Sequence, residues 1–207
     1  MKKILLAVVS ALLLSHSIFA AETFDSVCAN LSKHPNMKGD FTQVKTISAV
    51  NRSLKSSGTF IFSLDGIMWK TEKPFPSTMV VGMTSVKQTL ANGKQTVIDA
   101  SSNQIFTSIS TTLGAMFSGN GETLKENFNV EFVTSGTSWN ATLTPKDNLV
   151  AKILTSLVIS GNASADFADL NKIVMSEASG DVITYNFTNQ TYPKELTADE
   201  KAYFTTK

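Results

Sequence analysis

The sequence predicts a mainly β protein: one domain of about eleven antiparallel strands with two or three short helices, its sheet strongly curved. Three observations carry this. Short segments of alternating apolar and polar residues recur along the chain, separated by turn-forming residues. Each alternation places large apolar side chains on one face of its strand and polar ones on the other. Helical stretches are few and short, so a curved sheet around a loosely filled concavity is the expected outcome.

The first residues, MKKILLAVVSALLLSHSIFA, have the form of a signal peptide. Lys2 and Lys3 are its basic region, Ile4 to Leu14 its apolar run, and cleavage is expected after Ala20. The run is too short to span a bilayer. Residues 21–207 have the size of one domain. Phe24, Val27 and Leu31 then recur at helical spacing, with Cys28 on the same face as a small buried hydrophobe.

Strands are expected over Gly39–Ile47, Leu54–Leu64, Gly66–Glu72, Ser77–Thr84, Val86–Ala91 and Lys94–Ala100. Five more follow, over Asn127–Thr134, Ser138–Thr144, Ser156–Gly161, Asn171–Glu177 and Asp181–Thr191. Turn signals such as Leu64-Asp65-Gly66, Ala91-Asn92-Gly93 and Ser179-Gly180-Asp181 join them into a meander. Two stretches break the pattern. In SISTTLGAMFSGNGE, Ile109, Leu113, Met116 and Phe117 predict a short amphipathic helix ended by Ser118-Gly119-Asn120-Gly121. In DNLVAKILTSL, Leu149, Val150, Ile153 and Leu154 predict another, with Asp147 as its cap. The segment LTADEKAYF fits one more helical turn or a last strand.

By the two-residue period, Leu54, Ser56, Gly58, Phe60, Phe62 and Leu64 share one face, opposite Lys55, Ser57, Thr59, Ile61 and Ser63. Ile67, Trp69 and Thr71 oppose Met68, Lys70 and Glu72. Met79, Val81 and Met83 share a side. Phe41, Val130, Phe132, Ile173, Met175, Ile183, Tyr185 and Phe187 extend the apolar set. This pattern fits a filled core and an occupied cavity equally well.

The chemistry that is missing narrows the function. Without Lys2 and Lys3 the chain holds 16 basic and 17 acidic residues, a balance that argues against nucleic acid and against steady adhesion to an anionic membrane. Arg52 is the one arginine. Cys28 has no partner for an internal disulfide. His34, alone after the first twenty residues, reads as a surface loop residue, and it has no companion at metal-ligand spacing. There is no G-x-S-x-G elbow and no phosphate-binding loop. No cofactor and no metal are expected. A hydrolase built on two spatially paired carboxylates stays open as an alternative, as does an envelope-assembly partner without small cargo.

The order of features resembles the periplasmic outer-membrane lipoprotein carrier family, LolA-like proteins. The resemblance rests on MKGDFTQVKT with Phe41-Thr42-Gln43, on Gly58 to Pro74 with Trp69, on TMVVGM, on NATLTPKD with Thr144-Pro145-Lys146, and on LNKIVMSEASGDVITYNFTNQTYPKEL. It covers nearly all of residues 21–207. It implies an incomplete, half-open antiparallel β-barrel of about eleven strands, with short helices covering its apolar concave face as a lid, in a monomeric periplasmic carrier. Such a carrier holds the acyl chains of a lipoprotein or related lipid, receives them from an inner-membrane lipoprotein-releasing transporter and hands them to an outer-membrane acceptor. The implied groove residues are Phe41, Phe60, Phe62, Ile67, Trp69, Met79, Val81, Met83, Leu113, Met116, Phe117, Val130, Phe132 and Met175. One departure stands out. Family members fasten the lid with an arginine at the end of the second strand, and Ser63 to Asp65 offer none. The lid is therefore expected to close differently or to stay open, and a non-lipoprotein lipid or amphiphile is the alternative cargo.

Overall fold

The computed structural model describes residues 22–82, 85–99 and 104–205. The predicted residues 1–20, Met83, Thr84 and Ala100 lie outside that range. In chain order the elements are α1 (Phe24–Leu31), β1 (Asn36–Ile47), β2 (Arg52–Ser63), β3 (Gly66–Lys73), β4 (Ser77–Val81), β5 (Ser85–Leu90) and β6 (Gln95–Asp99). Next come α2 (Gln104–Phe117), α3 (Gly121–Asn127), β7 (Phe128–Ser135), β8 (Ser138–Pro145), α4 (Asn148–Ala151) and β9 (Leu154–Ser164). The last are β10 (Phe167–Ala168), β11 (Lys172–Glu177), β12 (Val182–Thr191) and α5 (Ala198–Lys201).

The strands form one antiparallel sheet in the order β6-β5-β4-β3-β2-β1-β12-β11-β9-β8-β7, with the short β10 attached to β9. It is open: β6 and β7 are its edges and do not pair with each other. All eleven expected strands are present, and β10 is an addition too short to leave a periodic signal. The centre of the sheet is the seam of β1 with β12, where Phe41 faces Phe187 and Gln43 faces Tyr185.

Local chemistry explains the helix boundaries. A reciprocal cap starts α1: the Thr23 hydroxyl accepts the Ser26 N–H at 3.1 Å, and the Ser26 hydroxyl accepts the Thr23 N–H at 2.9 Å. α2 stops at Gly119, whose φ of 75° suits the left-handed helix end. Asn120 then caps α3 by accepting the Thr123 N–H at 3.1 Å. The stretch Ser118 to Gly121 therefore ends one helix and starts the next. The sequence reading saw only the stop and missed α3. Asp147 caps α4 through the N–H groups of Leu149 and Val150 at 2.7 and 3.0 Å, but α4 closes at Ala151. Ile153 and Leu154, expected on that helix, lead into β9, because the apolar spacing of the helix runs on into the strand. The C-terminal segment is the helical turn α5, with a Thr197–Glu200 capping box.

The outer face is not uniformly polar. Ile61, Met68 and Val80 lie in register across β2, β3 and β4 and are buried with Leu196, and Tyr203 and Phe204 pack against them. The sequence reading placed Ile61 and Met68 on a polar, solvated face. The C-terminal strap dries that strip instead. Lys38 of β1 fastens the strap through Glu200 at 2.6 Å.

Gly58 is buried where β3 bulges: Ser57 pairs with Lys73 and Gly58 with Thr71, leaving Glu72 extra. A Cβ at Gly58 would run into the Lys70 carbonyl oxygen, whereas one at Gly114 of α2 would meet open space. Gly58→Ala should lower unfolding stability by about 2 kcal/mol or more. Gly114→Ala should leave it unchanged or raise it by about 0.5–1 kcal/mol; urea titrations of the two variants check both. The Lys38 ammonium, and after it the Thr197 N–H, hold the Glu200 carboxyl below the usual glutamate range. A lowered folded value means the stabilisation is present above the ordinary glutamate range and is lost as pH falls through the folded value. Glu200→Gln should therefore reduce Tm by roughly 2 °C at pH 7 and leave it unaltered near pH 3 (about one unit below an unperturbed carboxyl), read by thermal melts.

Candidate functional site

Neighbouring strands converge their aromatic rings on one face. Phe60 and Phe62 of β2 have centroids 4.7 Å apart. Phe187 of β12 lies 4.8 Å from Phe60 and 5.4 Å from Phe62. Trp69 of β3 lies 5.6 Å from Phe62 and 5.9 Å from Tyr185 of β12. β3 and β12 are three strands apart, roughly 14 Å along a flat sheet. Rings that meet across that interval show that the sheet curls and that this face is the concave one.

α1, α2 and α3 cover part of it. α2 packs on β3 and β4, α3 on β7, and α1 on β10 and on both other helices. Phe117 of α2 reaches Phe62 at 6.1 Å, and Phe24 of α1 reaches Phe132 of β7 at 5.9 Å. Of the residues expected to line a groove, Phe41, Phe60, Phe62, Ile67, Trp69, Val81, Leu113, Met116, Phe117 and Met175 are buried in one cluster. Met79, Val130 and Phe132 are half-buried at its margin. Met83 lies outside the described residues. The cluster also takes in Phe187 and Tyr185, which the alternation had put on the apolar face without assigning them to the groove, and Trp139, Leu143, Leu157 and Ile159 of β8 and β9. The run Trp139, Ala141, Leu143 carries the same two-residue signal.

The cover is uneven along the strands. On β2 the concave-facing series runs from buried Phe62 and Phe60 through Gly58 and half-buried Ser56 to Leu54, which is 59% exposed. On β4 it runs from buried Val81 through half-buried Met79 to Ser77, and Ser77 pairs with Leu90, 41% exposed. On β3 it runs from Ile67 and Trp69 to half-buried Thr71. One half of the concave face is therefore aromatic and roofed by helices, and the other half is open. The open half carries Thr71, Ser77 and a Ser56–Gln43 hydrogen bond of 3.0 Å. It also carries Lys45, held at 3.3 Å by Glu177 and at 3.4 Å by Asp181. The face grades from hydrocarbon-like to polar.

The roof is held without an arginine. Ser63 to Asp65 form the β2–β3 turn, where the Asp65 N–H donates to the Ser63 hydroxyl at 3.2 Å, and Leu64 faces solvent. Buried Asn30 of α1 donates instead to the Ser164 carbonyl at 2.9 Å. Lys125 of α3 bridges Asp25 of α1 at 2.8 Å and Glu122 at 2.9 Å. The latter pairs are exposed, a class worth about 0–1 kcal/mol, so apolar packing supplies most of the hold. Cys28 of α1 is fully buried, as expected. Burial, and then the nearby Asp25 carboxylate, push its thiol up to about 12.

Among the described residues, two polar groups in this region lack partners. The Trp69 indole Nε1 is buried without a hydrogen bond, as is the Thr112 hydroxyl of α2. Trp139 differs: its Nε1 donates to the Asn162 carbonyl at 3.1 Å. A buried unpartnered group costs about 1–3 kcal/mol.

His34 is not the surface residue the sequence suggested. It is half-buried, its ring 4.6 Å from Tyr192 and 5.5 Å from Phe167; burial, then Lys33, lower its pKa. On the outer face, a shallow cleft of about 360 Å³ brings Asp40, Glu200 and Tyr203 near Lys38 and Lys70. Asp40 accepts from Asn189 at 2.7 Å and Glu200 caps α5, so these carboxylates serve the fold. Among the described residues, no three His, Cys, Asp or Glu side chains gather as metal ligands, and no helix is long and apolar enough to cross a membrane.

No curated protein matches the sequence. Among solved structures, a DUF1329 family protein from Desulfovibrio piger superposes with a TM-score of 0.50 at 9% identity, over 88% of this chain and 95% of that one. That likeness is one of fold. A LolA superfamily protein from Nitrosomonas europaea gives a TM-score of 0.47 at 11% identity, over 90% of this chain and 99% of that one. The family model described as outer membrane lipoprotein carrier protein LolA matches residues 32–204, from just past α1 to the end of the C-terminal strap. With a match over most of its length, the chain belongs to the LolA family of outer membrane lipoprotein carriers.

Proposed function

We infer that this protein is a non-enzymatic periplasmic carrier that shelters the acyl chains of a lipoprotein, or of a related lipid, and ferries them from the inner to the outer membrane. Residues 1–20 serve as its export signal, and residues 21–207 act as one monomeric domain. An inner-membrane lipoprotein-releasing transporter loads it and an outer-membrane acceptor unloads it. The observation that carries the reading is the graded concave face, aromatic under the helices and polar where it opens. An amphiphile has the same gradient.

The cargo takes the place of the roof. Leu113, Met116 and Phe117 fill the face in the closed state, and acyl chains replace them against Phe60, Phe62 and Ile67. Each buried methylene is worth about 0.8 kcal/mol. The helix side chains give up comparable burial, so the exchange is close to balanced. A carrier needs that balance, since cargo bound too tightly is not delivered. The same weak polar fastening that lets the roof lift lets it return.

Purified protein should take up a fluorescent acyl probe, and Phe62→Asp should reduce uptake at least about tenfold, equivalent to 1.4 kcal/mol. Phe62→Leu, which keeps the packing, should bind more weakly than the parent but remain folded, and Leu64→Asp at the exposed turn should bind normally. Failure of the unmodified protein to bind any acyl probe would sink the reading. Cys28 reports the roof itself. Its buried, protonated thiol should react slowly with a disulfide reagent at pH 8, and saturation with an acyl ligand should speed the reaction at least about tenfold. An unchanged rate would show that α1 does not lift.

A further inference from the structure

Trp69 stands where the aromatic half of the concave face meets the open half. Inward of it on β3 is buried Ile67, and outward is half-buried Thr71. Its cross-strand partners are buried Phe60 on β2 and half-buried Met79 on β4. An amphiphile lying along this face, chain inward, places the group that joins chain to head at this level. The Trp69 Nε1–H is a donor without a partner, in a residue only 5% exposed. Indole can only donate, so the complementary ligand group is an acceptor. A buried polar group left unpaired in a folded protein calls for an explanation. Trp139, of the same residue type in the same cluster, is satisfied within the protein.

The surroundings decide between a charged and a neutral acceptor. The rings around Trp69 are Phe62 and Tyr185. Burial pushes the Tyr185 hydroxyl up to about 12, a sign that anions are disfavoured beside Trp69. Lys45, a cation on this face, is already paired with Glu177 and Asp181. A carboxylate at this depth would be desolvated without a counter-charge.

The geometry points to Trp69 as a selectivity residue whose indole N–H receives the neutral ester or amide carbonyl of an acylated lipid, so that esterified chains are favoured over free fatty acids and plain hydrocarbon. This rests on the lipid-carrier reading above and adds to it a chemical class of cargo and the residue that selects it. Acylated lipoproteins and acylglycerols share that carbonyl.

The test is displacement of a fluorescent acyl probe by three ligands of one chain length: methyl laurate, laurate at pH 8 and dodecane. The ester should bind about tenfold more tightly than the other two, the scale of one net hydrogen bond. Trp69→Phe keeps an aromatic ring at this position and should erase the ester's advantage over dodecane measured on the same variant. In the unmodified protein, the Trp69 indole N–H resonance should move downfield with methyl laurate and not with dodecane, while that of Trp139 stays in place. Equal binding of ester and dodecane, or an ester advantage that survives Trp69→Phe, overturns the role of Trp69 and leaves the carrier reading standing. Tighter binding of laurate overturns the preference for a neutral carbonyl. If the probe binds and none of the three displaces it, this inference fails while the carrier reading stands; if the probe itself does not bind, the carrier reading fails and this inference with it.

Discussion

The architecture follows from one constraint: a wide antiparallel sheet has put its aromatic side chains on a single face, and that face has to be kept from water. Curling brings the Phe60, Phe62, Trp69, Tyr185 and Phe187 rings into mutual contact across four strands and removes part of the apolar area without any helix. What curling leaves exposed, three short helices cover, and they reach only part of the way. The open half, the polar residues that line it and the modest fastening of the roof are all consequences of a cover smaller than the surface beneath it.

Much of this was written in the two-residue period. Phe41, Phe60, Phe62, Ile67, Trp69 and Val81 fell on the right face because alternation fixes the side of the sheet to which a residue points. Depth along the strand was not legible. Leu54 has the same parity as Phe62 and is 59% exposed, because depth depends on where helices distant in sequence come to rest. The outer strip of Ile61, Met68 and Val80 escaped notice for a similar reason. Each apolar residue is isolated in its own strand, and only the register lines them up under Leu196. The helix α3 was hidden by its cap, since Asn120 and Gly121 read equally well as the end of α2. Nothing in the sequence distinguished Trp69 from Trp139, because an unpartnered N–H is a property of the surroundings.

The absent arginine changes how the roof should be understood. A single strong fastener at the end of β2 would make opening an all-or-none event at one residue. Here the hold is divided among Asn30 on the Ser164 carbonyl, the exposed Lys125 bridge between α1 and α3, and the apolar side chains of α2. Most of it is apolar contact. Under the carrier reading proposed above, an incoming acyl chain replaces that contact in kind, and opening and loading are two sides of one exchange.

The seam between β1 and β12 has a consequence for how the molecule is made. The strand near the start of the chain pairs with the strand near its end, so the middle of the sheet closes last in a chain delivered from its N-terminus. Until β12 arrives, the β1–β6 half presents Phe60, Phe62 and Trp69 without Phe187 and Tyr185 opposite them. The β7–β11 half likewise lacks its neighbour. Pairings of such long sequence separation form slowly, and half-built apolar faces adhere to one another while they wait. The surface best suited to hydrocarbon is thus the one exposed longest during folding.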